Sequence, residues 1–216
     1  PTIDDLYEHV LARIEEDIEE DYEVEAFKAI WASCDGLARD ELLELTGMSP
    51  VKWAEIQNIL DENLFESGGQ ITFGNQFIRK AVEDMHLPGD EDKRSAHRWL
   101  GEWFDKREVT LDVARERVHQ WREAGDRDRL RSCLLEQEVF QELYGHDQYA
   151  LLGHWVELGD DVGEAYEKAY GKWTDKEDLS RELAGFLMDA GSYGAFTEEL
   201  YRRALEGKEK ALGPEH

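Results

Sequence analysis

Few residue spacings in this chain favour catalytic or metal chemistry. His146, Asp147 and His154 carry side chains that bind zinc, but their spacing matches no metal motif. We interpret them as surface or helix-cap residues. Paired carboxylates such as Asp160–Asp161 recur in a chain with 51 acidic residues, so they say little about acid–base catalysis. We therefore expect no catalytic residue and no metal site.

Nucleotide chemistry has a recognisable sequence requirement that this chain does not meet. A phosphate loop needs Gly-x4-Gly-Lys followed by Ser or Thr, and a dinucleotide site needs Gly-x-Gly-x-x-Gly. Neither pattern occurs in the sequence. Gly68–Gly69 stands between two short apolar runs and predicts a hairpin turn instead. The sequence thus predicts a fragment that is not an enzyme and holds no cofactor of its own.

The charge of the chain restricts its partners. The formal net charge is −26, and a surface of this sign repels nucleic acid and anionic membranes. The sequence has neither a long apolar run nor a signal-peptide pattern. We expect a cytoplasmic protein that binds another protein. Three origins of the acidity stay open, namely solubility, a basic partner or adaptation to high salt.

The apolar periodicity predicts a mostly α-helical chain in three parts. Residues 1–21 are expected to form an N-terminal helix and an acidic linker. Residues 22–88 contain three helices followed by two short apolar runs, and this order predicts a winged-helix domain with a β-hairpin wing. Residues 89–216 contain helices separated by glycine-marked turns, which is typical of antiparallel helical hairpins in a superhelix.

Aromatic residues recur at helical spacing in the third part. Their simplest interpretation is a core between stacked helices. The alternative is that some line a groove for a protein partner, and the candidates for this groove are Trp155, Tyr166, Trp173 and Tyr201.

The end of the chain resembles a known repeat. Leu183–Tyr193, Leu200–Leu205 and Lys208–His216 are similar to one tetratricopeptide repeat (TPR) of the longer kind found in kinesin light chains and nephrocystin-type proteins. The first clear repeat spans about 177–216, and Phe196 or Thr197 replaces the small residue usual where its helices approach. The resemblance implies a protein-interaction array that continues beyond His216.

A second resemblance concerns the predicted wing. Ile71–Val82, with the preceding helices and Ala124–Asp126, is similar to the region after the ATPase core in signal-transducing NTPases with numerous domains, the NACHT and NB-ARC group. The resemblance implies an ATPase core before Pro1, which would bind ATP or ADP and be a partner of this region. Asn75 takes the place of the histidine that senses the nucleotide in many members, and an asparagine cannot become charged.

Three functions follow from these patterns. The leading hypothesis is a non-catalytic regulatory and scaffolding fragment that couples the nucleotide domain to a TPR array. The alternative is a stand-alone TPR adaptor. A winged-helix transcription regulator is disfavoured, because the third helix, Val51–Asn63, has one lysine against several acids, and residues 65–76 contain no Lys or Arg.

Overall fold

The computed structural model describes residues 3–17, 22–60, 63–174 and 176–212. Within these ranges the chain is mostly helical, with twelve helices and one three-stranded sheet, which confirms the predicted fold class at this level. The chain divides into two compact units. The first comprises residues 1–107 and 119–126, and the second comprises residues 108–118 and 127–216.

The first unit contains seven helices, the last of them only in part, and the small sheet, all counted within the described residues. In chain order its elements are α1 (Ile3–Asp17), α2 (Tyr22–Ala32), β1 (Leu37–Ala38), α3 (Arg39–Thr46), α4 (Pro50–Leu60), β2 (Leu64–Ser67), β3 (Gln70–Phe73), α5 (Gln76–His86), α6 (Asp90–Phe104) and the end of α7 (Leu111–Glu123).

The sheet is antiparallel with strand order β1-β3-β2. Strand β3 pairs Leu37 with Ile71 on one side and Leu64 with Phe73 on the other. The predicted hairpin is present, and both of its turn residues have positive φ angles, 61° at Gly68 and 84° at Gly69. Two successive residues with left-handed backbone angles form a type I′ turn, whose twist matches that of a hairpin. Glycine adopts these angles without steric cost.

The first helix of the chain lies in the first unit. Helix α1 packs against α5, its residues Leu11 and Ile14 are fully buried, and the rings of Tyr7 and Phe77 stack with centroids 6.3 Å apart. Residues 18–21, three of which are acidic, lie outside the described residues. Burial of the apolar stripe of α1 requires a neighbour, and α5 provides it.

The sequence predicts a domain boundary between residues 88 and 89, at the pair Pro88–Gly89. Helix α6 follows this point yet belongs to the first unit, where it packs against α2. Leu100 and Phe104 of α6 are buried, and Gly101 lies against the indole of Trp121. The Pro-Gly pair therefore marks a turn between two helices of one core.

The second unit contains, within its described part, the start of α7 and five further helices. These are α8 (Arg127–Leu134), α9 (Gln137–Leu158), α10 (Val162–Tyr170), α11 (Lys176–Asp189) and α12 (Ala195–Leu212). Helix α9 is interrupted at Asp147, where φ is −153° and ψ is 93°. The Asp147 carboxylate accepts hydrogen bonds from the backbone N–H groups of Tyr149 and Ala150 at 2.9 and 3.0 Å, so it caps the second half of α9.

Helices α11 and α12 form an antiparallel hairpin over part of the predicted repeat. Leu183, Leu187 and Leu200 are fully buried between them and their neighbours. Gly191 adopts a φ of 76° in the connection, and the Thr197 hydroxyl donates to the carbonyl of Ser192 at 2.8 Å. The buried, hydrogen-bonded threonine explains how a larger residue fits near this helix crossing. Residues 213–216, which carry part of the TPR resemblance, lie outside the described residues.

Candidate protein-interaction groove

An open groove with a volume of about 720 Å³ lies in the second unit. It runs between the end of α8, the start of α9 and one face of α10. We call it the α8–α10 groove, and its lining residues are Arg131, Ser132, Leu135, Glu136, Gln137, Glu138, Asp160, Asp161, Glu164, Ala165, Lys168, Ala169, Lys172, Trp173 and Thr174. Its size lies within the range of sites that hold small ligands or short peptide segments.

Small side chains of α10 line part of the groove, and we call this part its floor. Ala165 and Ala169 are four residues apart and therefore lie one above the other on the same helix face. Leu135 and Trp173 add apolar surface beside them. The sequence signal for this floor is a pair of alanines at i and i+4, which is equally typical of a helix face packed in a core.

Two ion pairs fix the charged walls. The guanidinium of Arg117 donates two hydrogen bonds of 2.7 Å to the carboxylate of Glu136. Arg131 Nε donates to Asp160 Oδ2 at 2.5 Å, and this hydrogen bond lowers the pKa of Asp160 and raises that of Arg131. Charged pairs with such geometry hold the side chains in one orientation.

The remaining wall, residues 171–174, is hydrogen-bonded to the segment that joins α8 and α9. Gln137 Oε1 accepts a hydrogen bond of 2.7 Å from the backbone N–H of Thr174. The indole N–H of Trp173 donates to the carbonyl of Leu135 at 3.1 Å. These contacts join both sides of the groove, so its shape is set before any partner arrives.

The four aromatic residues predicted for a groove have different positions. Trp155 and Tyr166 are fully buried in the core, where the Tyr166 hydroxyl donates to the carbonyl of Leu134 at 2.8 Å. Burial raises the pKa of Tyr166. Trp173 is buried except for the edge that lines the α8–α10 groove, and Tyr201 is 41% exposed on α12 and does not line it. Three of these four aromatic residues are therefore mainly core residues. Helical spacing alone does not distinguish them from groove-lining residues, because both recur with the same period.

Asn75, the predicted nucleotide-sensing residue, lies in the first unit as the cap of α5. Its side-chain oxygen accepts from the backbone N–H groups of Phe77 and Ile78, and its amide donates to Tyr7 Oη at 3.3 Å and Asn63 Oδ1 at 3.1 Å. Two donors and two acceptor positions are the full capacity of an asparagine side chain. Sensing of a nucleotide by Asn75 stays a prediction.

The chemistry of the α8–α10 groove is that of recognition. It combines an apolar floor with exposed rim charges such as Glu138, Glu164 and Lys168. Across the described ranges, no group of three or more His, Cys, Asp or Glu side chains is arranged to hold a metal ion. No helix in the same ranges is long and apolar enough to cross a membrane.

Comparison with known proteins finds relatives over nearly the whole chain. Nephrocystin-3 of Homo sapiens is 28% identical over 246 residues, which covers 98% of this chain and 18% of that protein, and nephrocystin-3 of Mus musculus is 28% identical over 239 residues with the same coverage. A TPR repeat-containing protein of Dictyostelium discoideum is 26% identical over 159 residues, or 70% of this chain and 10% of that protein.

The chain spans less than a fifth of the length of these relatives. No protein-family profile matches it, and no solved structure matches it. The relatives support a helical region of the TPR type with a role in protein interaction.

Proposed function

We propose that this chain is a protein-interaction region whose α8–α10 groove receives a segment of a partner protein. The observation that carries the proposal is the preformed groove, whose walls are held by the Arg117–Glu136 and Arg131–Asp160 pairs above an alanine floor. A rigid groove loses little conformational entropy on binding, so its contacts contribute directly to affinity.

The lining selects the chemistry of the partner segment. Acidic side chains outnumber basic ones among the lining residues, and the chain as a whole carries a net charge of −26. Ala165 and Ala169 leave room for one apolar side chain between the charged walls. The favoured segment therefore places a basic residue near an apolar one, because charge complementarity speeds encounter and selects the partner.

Affinity capture with matched variants tests this function. Ala165→Trp fills the groove, and Val156→Trp adds the same side chain at an exposed position of α9 that does not line it. We expect Ala165→Trp to lose specific partners that the wild type and Val156→Trp retain, with quantitative mass spectrometry as the readout. Equal capture by all three proteins, with unchanged circular dichroism, would contradict a role for the groove.

We propose that the first unit is a winged helix that packs on protein and not on nucleic acid. Its support is the element order α2-β1-α3-α4-β2-β3 with the antiparallel strand order β1-β3-β2. Helix α4, which would enter a DNA groove in such a fold, exposes Val51 and Ile59. A binding titration with mixed duplex DNA at low salt checks this, and clear binding would contradict it.

We further propose that this non-catalytic, cytoplasmic region couples an ATPase domain of the signal-transducing NTPase group to a TPR array. The support is the sequence resemblance of Ile71–Val82 and the much greater length of the relatives. The first unit would act as a rigid lever that packs on the ATPase domain in one nucleotide state. The coding sequence upstream of Pro1 tests this. If it encodes no phosphate loop, the stand-alone TPR adaptor becomes the better description.

A further inference from the structure

We propose that the outer edge of β2 binds an extended, basic segment of a partner protein as an added β-strand. This surface lies in the first unit and is independent of the α8–α10 groove. Its evidence is the hydrogen-bond register of the hairpin, the exposure of β2, a cavity beside it and the local charge.

The hairpin register determines which backbone groups of β2 point outward. A two-residue turn makes Ser67 and Gln70 a hydrogen-bonded pair, and the bonding alternates along an antiparallel ladder. The carbonyl of Asn63 accepts from the N–H of Gly74 at 2.8 Å, which fits the same alternation. The N–H and C=O groups of Leu64 and Glu66 therefore point away from β3.

The outward edge is open in the described part of the chain. Strand β2 is the edge strand, with β3 as its only strand neighbour there. Phe65, Glu66 and Ser67 are exposed, and Phe65 keeps 57% of its accessible surface. An exposed edge of this kind is a template for an incoming strand, whose main chain supplies the missing hydrogen bonds.

A cavity of about 360 Å³ lies between α4 and β2. Its lining residues are Gln57, Asn58, Leu64, Phe65, Glu66 and Ile71. Side chains of an added strand alternate between the two faces of the sheet, so every second one would point toward this cavity. The cavity can thus add selectivity for a side chain of the partner while the backbone provides affinity.

The sequence of the hairpin argues for a partner strand that carries basic residues. Natural edge strands are commonly protected by lysine or proline, and residues 63–76 contain neither, nor any arginine. Glu66 is the only charged residue in this stretch. If the added strand came from a second copy of the chain, its Glu66 and its net charge of −26 would repel the same charges on the first copy. A basic strand instead attracts both Glu66 and the acidic surface.

The test uses a capped eight-residue peptide of alternating lysine and valine, titrated into the ¹⁵N-labelled chain. We expect the largest amide shifts at Leu64 and Glu66 and slower hydrogen exchange of the Glu66 N–H. The same peptide with every backbone nitrogen methylated cannot form the ladder and should bind at least tenfold more weakly. Absence of binding at millimolar peptide, or equal binding of the methylated peptide, would overturn the proposal.

Two substitutions at position 66 separate the contribution of the Glu66 charge to peptide binding from that of its backbone N–H. Glu66→Gln removes the charge and keeps the outward N–H, so we expect affinity to fall about threefold to tenfold. Glu66→Pro also removes the N–H, which β3 does not use, and binding should disappear. Glu102→Gln, an equal charge change at an exposed residue of α6, serves as control.

The amide chemical shifts of Gln70–Phe73 in the ¹⁵N spectra report whether the hairpin stays folded in each variant. Retained binding by a folded Glu66→Pro chain would contradict strand addition. Self-association of the wild type that Glu66→Pro abolishes would also contradict it, because the edge would then pair with a second copy.

Discussion

Both terminal nitrogens of Arg117 donate hydrogen bonds of 2.7 Å to the carboxylate of Glu136. The Arg117 side chain is only 6% exposed, whereas that of Glu136 is 43% exposed and lines the α8–α10 groove. The pair joins α7 to the residue just before α9. It therefore links the shape of the groove to the packing of the second unit.

Glu136→Gln should destabilise the second unit by about 1–2 kcal/mol. The substitution leaves the buried guanidinium of Arg117 with a weaker, uncharged acceptor, and the half-exposed position of the carboxylate keeps the loss below that of a fully buried pair. Urea unfolding monitored by circular dichroism measures the change. Glu138→Gln is the matched control, since Glu138 is exposed and should change stability by less than about 0.5 kcal/mol. Equal effects of the two substitutions would contradict the importance of the ion pair.

Two helix glycines should respond to alanine with opposite signs. A Cβ atom at Gly101 would lie 3.1 Å from the Trp121 ring and 3.2 Å from the Gln120 Cβ, whereas one at Gly185 would meet only the Tyr144 hydroxyl, at 3.4 Å. We expect Gly101→Ala to cost about 1–3 kcal/mol through overpacking. Gly185→Ala should add about 0.5 kcal/mol, because alanine has the higher helix propensity. Urea unfolding compares both, and stabilisation by Gly101→Ala would contradict the close approach.

Local signals in the sequence predicted the individual elements well. The hairpin follows from Gly68–Gly69 between apolar runs, and the interruption of α9 at Asp147 lies two residues after Gly145, one of the glycines that mark the predicted helix ends in residues 89–216. Strand β1 was not predicted, because two residues carry no periodicity and Leu37–Ala38 become a strand only by pairing with β3. Elements that depend on a distant partner have no local signal.

The candidate site was harder to predict than the fold. Helical spacing identified Trp155 and Tyr166 as members of an apolar face, but spacing is the same for a core residue and for a groove residue. The α8–α10 groove arises where Ala165 and Ala169 leave space beside Leu135. A space of this kind depends on the packing of three helices, which a single sequence does not specify.

Stability should fall as the pH drops below about 6.5, because of a buried histidine cluster in the first unit. His97 Nδ1 donates to Gln120 Oε1 at 2.8 Å, and His119 Nε2 donates to the carbonyl of Ala32 at 3.2 Å. Burial lowers the pKa of both histidines, that of His119 to about 4. The unfolded chain takes up both protons near pH 6.5, whereas the folded chain takes up the His119 proton only near pH 4 and holds the pKa of His97 below its ordinary value. Stability is therefore full above pH 6.5 and declines between the two values.

Between pH 7.5 and 5.5, His119 should contribute about 1 kcal/mol to this loss. His119→Gln retains a donor for the Ala32 carbonyl and does not titrate, so its stability should decline less with pH. His146→Gln, at an exposed position of α9, should keep the wild-type dependence. Urea unfolding at both pH values measures the difference. An unchanged slope in His119→Gln would contradict the assignment.

Asn75→Ala should destabilise the first unit by about 1–2 kcal/mol. The substitution removes the acceptor for the N–H groups of Phe77 and Ile78 as well as the amide that donates to Tyr7 and Asn63. Asn75→Asp keeps the acceptor and places a negative charge at the N-terminus of α5, so we expect it to recover about half of the loss.

Thermal and urea unfolding of the two variants measure these changes, with Asn58→Ala at an exposed site of α4 as control. The control should lie within about 0.5 kcal/mol of the wild type. If Asn75→Ala were equally neutral, the four hydrogen bonds would contribute little to folding. The amide would then be available for a ligand, as the predicted nucleotide-sensing role requires.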